Sequence, residues 1–153
     1  MGEKEKSIHR PQNYVVARYR NGRMIKGITY DFGPQKKGFH VVVLEGEEEG
    51  DGEKQGGKVY EVLFSDLKAV FFVKSLEGRK GPPSLKGLLE EEEEPPGFLK
   101  VKITFFDGEI LVGTTYGFNP EREGFFVIPM ERDSNNLRIF VISGAIKNIE
   151  TWR

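Results

Sequence analysis

Two stretches of the chain alternate apolar and polar side chains with a period of two. In KVKITFF, Val101, Ile103 and Phe105 share one face, and Lys102 and Thr104 take the other. Such alternation marks a strand with one buried face. Val15, Ala17 and Tyr19 repeat the phase earlier in the chain, with Arg18 and Arg20 turned outward. Asn21-Gly22 and Asp107-Gly108 end these two runs. They predict type I′ hairpins, in which both central residues need positive φ. The strands that follow contain Gly27 and Gly113, which predict a bend or bulge there. Third strands are expected at Phe39–Leu44 and Phe125–Met130, and fourth strands at Tyr60–Phe64 and Arg138–Ile142. After the short turns Ser65-Asp66-Leu67 and Ser143-Gly144-Ala145, last strands are expected at Ala69–Lys74 and Lys147–Trp152.

The paired signals reflect an internal duplication. Arg18–Val42 lies on Thr104–Ile128 without a gap, and nine of these 25 positions are identical. Three glycines, Pro34/Pro120 and the aromatic pairs Tyr30/Tyr116, Phe32/Phe118 and Phe39/Phe125 are among them. Further on, Leu67-Lys68 lies on Ile146-Lys147 and Val70 on Ile149, so the first copy is longer by about seven residues in its acidic loop. The expected organisation is a disordered tail at 1–13, a first repeat at 14–78, an acidic Pro/Gly-rich linker at 79–97 and a second repeat at 98–153. The linker contains Glu90–Glu94 and three leucines, Leu85, Leu88 and Leu89, which would dock on a barrel if they formed a helical turn. The fold class is all-β, two tandem five-stranded small β-barrels.

Five short strands, a bent second strand and a tight turn before the fifth resemble the SH3-like and Sm-like barrels. The Sm-like match runs through Asn21-Gly22, Gly27, Asp31-Phe32 and Leu67–Val73. The chain also resembles a family of uncharacterised bacterial domains with a DG…G…F.P…GF pattern and a closing LKAVFFV-type strand. The residues that carry it are Asp107-Gly108, Gly113, Phe118-Asn119-Pro120, Gly124-Phe125 and Leu67–Val73. That resemblance implies a bacterial signalling or regulatory setting and no chemistry. The Sm-like resemblance implies single-stranded RNA as a ligand.

Composition narrows the function classes. The chain has 153 residues, no Cys and two His, which excludes disulfides, thiolate metal sites and a cysteine nucleophile. No cofactor or metal is expected. No apolar run approaches the ~18 residues of a membrane helix. MGEKEKSIHR carries no apolar signal segment, so a soluble, cytoplasmic protein with no membrane partner is expected. The net charge is −1, without the basic surplus usual in a nucleic-acid binder. Glu45–Lys58 alone holds six acids and two bases.

No GxSxG, HExxH or P-loop sequence occurs. Asp31 and His40, the obvious acid–base candidates, align with Gly117 and Phe126 and are not shared by the copies. The expectation is therefore not an enzyme. It is a regulatory or protein-interaction module, with Sm-like RNA binding as the alternative. An RNA or ligand surface would use Tyr30, Lys36 and Lys37 in one copy and Tyr116 and Arg122 in the other, with aromatics to stack on bases and cations to meet phosphates. A protein partner or self-association would use Phe71 and Phe72. Ala69–Val73 is apolar on both faces, whereas its counterpart Asn148–Trp152 alternates. Packing against the second copy or the linker leucines is the structural use of that extra face, and a partner surface the functional one.

Overall fold

The alternating segments become ten antiparallel strands among the described residues. The computed structural model describes residues 12–43, 57–76, 98–119, 121–130 and 135–152. The first repeat holds β1 (Asn13–Tyr19), β2 (Met24–Thr29), β3 (Gly38–Val43), β4 (Lys58–Leu63) and β5 (Leu67–Val73). The second holds β6 (Leu99–Phe105), β7 (Ile110–Thr115), β8 (Gly124–Pro129), β9 (Asn136–Ile142) and β10 (Ile146–Trp152). One turn of 3-10 helix, Phe64–Asp66 or Ser143–Ala145, precedes the last strand of each repeat. The expected linker and tail lie outside the described residues, except for Gln12 and Asn13. Asn13 opens β1.

The architecture departs from two separate closed barrels. All ten strands belong to one antiparallel sheet in the order β10-β6-β7-β8-β9-β5-β1-β2-β3-β4, and that sheet does not close. The last strand of the first repeat pairs with the fourth strand of the second. Ala69 lies opposite Val141, Val70 opposite Phe140, Phe71 opposite Ile139 and Phe72 opposite Arg138, with a bulge before Val73 and Asn136. The cause is the two-sided apolar character of β5. A strand buried on both faces needs cover on both, and β9 extends the sheet so that each face of β5 meets a core.

Two cores result, and β5 and β9 contribute to both. The first gathers Val15, Ala17, Phe39, Val41, Val62, Phe64, Leu67, Val70 and Phe72 from the first repeat, and takes in Phe140 and Ile142 from β9. The second gathers Val101, Ile103, Phe105, Phe125, Val127, Ile139 and Val141, and takes in Ala69, with Phe71 packed against it. Side chains of β1 and of β3 and β4 share the first core although β2 separates them in the sheet. Each half of the sheet therefore curls over its own core.

The shared glycines make the curl possible. A Cβ at Gly27 would lie 2.2 Å from the Val42 carbonyl oxygen, and one at Gly113 would lie 2.3 Å from that of Ile128. Any side chain there would force the second and third strands apart. The hairpins form where the dipeptides predict, but they are not type I′. No residue other than glycine has positive φ among the described residues, while Gly22 and Gly108 both have φ of 95°. The Gly22 amide donates to the Tyr19 carbonyl at 3.0 Å and the Tyr19 amide to the Arg23 carbonyl at 2.8 Å. This is a type I turn closed by a glycine bulge. Asn21 stays at negative φ because its Oδ1 accepts the Arg23 amide at 2.9 Å, and Asp107 accepts that of Glu109 in the same way.

Phe140 fills the first core from the second repeat, so its loss should destabilise both. Phe140→Ala is expected to cost about 3–5 kcal/mol of unfolding free energy, measured by urea denaturation. A cost within about 0.5 kcal/mol, as at a surface position, would contradict the shared core.

Candidate functional site

Three features stand out from the fold: the seam between the repeats, a cleft beside it, and the two outer strands of the sheet. At the seam, Phe32 sits at the centre of an aromatic cluster. Its ring lies 5.1 Å from Phe39, 4.9 Å from Phe72 and 5.1 Å from Phe140, with Phe64 and Phe126 at 5.8 and 6.0 Å. Arg138 of β9 is laid over the rings of Phe72 and Phe126, at 4.5 and 4.6 Å from their centroids. Cations over ring faces are attracted by the quadrupole. Burial draws the Arg138 pKa below its ordinary value.

The other end of the seam is ionic. Lys68 is only 6% exposed. Its ammonium donates to Asp107 Oδ2 at 2.8 Å and to Glu109 Oε1, and lies over the Phe105 ring. Arg18 stands 3.8 Å from Glu109. The hairpin of the second repeat thus neutralises a buried lysine of the first, as a buried charge requires. The Lys68 hydrogen bond and the Glu109 amide hold the Asp107 carboxyl below the usual aspartate range.

In the first repeat Asp31 clamps the loop before β3. One carboxylate oxygen accepts the His40 amide at 2.9 Å, and the other meets His40 Nδ1 at 2.8 Å. The Thr29 hydroxyl donates to the first of these at 3.2 Å. Partial burial pushes the Asp31 pKa up, but the His40 side-chain and backbone bonds and the Thr29 bond outweigh it, so the net shift is downward. In the second repeat Thr115 Oγ1 donates to the Phe126 carbonyl at 2.7 Å instead. The equivalence of the two clamps explains Asp31 and His40 structurally.

The residues expected to line an RNA or ligand surface are placed as follows. A cleft of about 450 Å³ lies beside the seam, with Tyr116, Phe118, Arg122 and Phe98 of the second repeat and Pro34 of the first among its walls. Tyr116 is 69% exposed, and its ring lies 4.9 Å from that of Phe98. Tyr116 and Arg122 therefore come together. Lys37 reaches across to Glu123, at 3.6 Å, next to Arg122. Tyr30 is exposed but is not part of this cleft. The Lys36 ammonium turns back to the Asp31 carbonyl at 2.8 Å. Phe118 packs edge-on against Phe125.

Phe71 and Phe72 lie in the seam. Phe72 is buried in the first core and Phe71 is half-buried against the second. The outer strands are the feature that the sequence reading did not single out. Among the described residues no strand pairs with the outer edge of β4 or of β10. Val59 and Leu63 on β4 and Trp152 on β10 are exposed, at 57%, 43% and 43%. The signal was the duplication itself: a chain of two such repeats joined by one β5–β9 pairing must leave one edge of each kind over.

No group of three or more metal-binding side chains occurs among the described residues, and no helix there is long and apolar enough to cross a membrane. Residues 11–152 match the model of a family of unknown function, DUF6982. No curated protein and no solved structure matches the chain.

The Asp31 and Asp107 pKa values are both lowered on folding. Each then adds stability that is complete above the ordinary aspartate value of about 3.9 and is lost as pH falls through the lower folded value. Asp107→Asn should lower stability at neutral pH and flatten its fall below about pH 4, read by denaturant midpoints across pH. An unchanged acid limb would contradict the Lys68–Asp107 assignment.

Proposed function

The chain belongs to that family of unknown function, and we propose that it is a non-enzymatic protein-interaction module with a regulatory or signalling role in the bacterial cytoplasm. Each repeat is read as an Sm-like or SH3-like half-barrel whose outer strand accepts another polypeptide. The observation that supports this most is that, among the described residues, no strand pairs with the outer edge of β4 or of β10, beside which Val59, Leu63 and Trp152 are exposed. Exposed edges offer unpaired backbone donors and acceptors to an added strand, and the apolar side chains beside them supply specificity. The alternative, single-stranded RNA binding, draws on the cleft, where the rings of Phe98 and Tyr116 stand with the Arg122 side chain. A base on the rings and a phosphate on the guanidinium would suit it.

The test is retention from a bacterial lysate, with and without nuclease, on the wild-type chain, on Leu63→Asp and on Tyr116→Ala. The module reading predicts a specific protein that survives nuclease and is lost with Leu63→Asp. Nucleic acid that nuclease removes, lost with Tyr116→Ala, would overturn it in favour of RNA.

A further inference from the structure

The seam inside the chain is a head-to-tail contact, and both of its halves recur at the ends of the sheet, where no further strand is paired among the described residues. On one side of the seam stand Phe32, Phe64 and the start of β5. Phe140 fills the space among them, 5.1 Å from Phe32 and 5.3 Å from Phe64. The counterparts in the second repeat are Phe118, Ser143 and the start of β10. There the same space is an open groove of about 300 Å³, walled by Phe118, Ser143, Ile146 and Lys147 through Ile149. The strand that would fill it is the counterpart of β9, namely β4, at the opposite end of the sheet.

We propose that the chain associates head to tail with a second copy of itself, β4 of one copy adding to β10 of the next in the register that joins β5 to β9. This rests on the reading of the sheet edges as binding surfaces. The register sets Val62 opposite Asn148, Glu61 opposite Ile149 and Val59 opposite Thr151, by the equivalence of β4 with β9 and of β10 with β5. Leu63 takes the place of Ile142, which is buried in the first core. An exposed leucine thereby enters a groove walled by Phe118, Ile146 and Ile149.

The substitutions between the two joints match one another. Where the seam has Phe64, Phe72 and Phe140, the outer joint has Ser143, Thr151 and Glu61. All three are phenylalanine at the seam and polar at the outer joint. A carboxylate among the rings of the seam would be a fault, and at the outer joint it meets Ser143 and Thr151 in their place. The ionic end of the seam has no equivalent, because Asp107 and Glu109 correspond to Asn21 and Arg23. The outer joint is therefore weaker than the seam and reversible. A heterologous contact of this kind closes into a ring or grows as a filament.

Light scattering on the full chain tests this across about 1–100 μM, the range in which a weak protein contact assembles. The wild type should rise above the mass of one chain as concentration increases. Leu63→Asp blocks the β4 end, and Thr151→Glu, at an exposed position opposite Val59, puts a second carboxylate on the face that Glu61 approaches and blocks the β10 end. Each alone should stay at the mass of one chain, with an unchanged circular dichroism spectrum. Mixed, they should form a one-to-one dimer and nothing larger, since each retains the end that the other has lost. A wild type of single-chain mass throughout, variants that assemble like the wild type, or a mixture that does not pair would each overturn the proposal. A single-chain mass alongside a nuclease-resistant protein partner would leave the module reading standing and refute only self-association.

Discussion

The structure depends on one strand that cannot be buried by its own repeat. Ala69–Val73 is apolar on both faces, and a curled five-stranded half has a core on only one side of it. Pairing β5 with β9 resolves this. Val70 and Phe72 point into the first core, and Ala69 and Phe71 into the second. The same pairing gives β9 two buried faces in turn, with Phe140 and Ile142 on one and Ile139 and Val141 on the other. Each repeat alone is small for an independent core. Here the two cores exchange side chains across a hydrogen-bonded seam, and neither repeat is complete without the other.

The two copies have diverged where the seam requires it. The backbone devices are common to both: the hairpin glycines, the bend glycines and the 3-10 turn. Among the side chains that differ are those that face the seam in one copy and not in the other. Phe64, Phe72, Phe126 and Phe140 build the aromatic cluster, and their counterparts are Ser143, Thr151, His40 and Glu61. Lys68 is neutralised by Asp107 and Glu109, whereas Lys147 lies in an exposed groove. Duplication followed by this division of labour gives the chain one internal joint between two unlike repeats.

Much of the fold was legible in the sequence because it rests on local signals. Period-two alternation located the strands, and the repeat located their equivalents. Asn21-Gly22 and Asp107-Gly108 marked the hairpins, although the turn type depended on whether the asparagine or its forward hydrogen bond set the backbone. The extra apolar face of β5 was visible too, with packing on the second copy as its structural explanation. The register with β9 was not visible, since it joins residues about seventy apart and no local pattern selects it. That register turns two expected barrels into one sheet. The candidate surface was only partly legible. Tyr116 and Arg122 share a cleft because they flank one loop, but Lys36 folds back on the Asp31 carbonyl and Tyr30 stands apart. That β4 and β10 are the outermost of the described strands follows from topology and carries no motif.

The central claim is that β5 and β9 form an internal seam that unites both repeats, and native-state hydrogen exchange tests it directly. Amides of β5 and β9 should be the most protected in the chain. They should open only with global unfolding, together with β1 and β8 on either side, while the outer amides of β4 and β10 exchange sooner. Protection of β9 no greater than that of β4, or loss of protection in one repeat while the other stays closed, would contradict the seam.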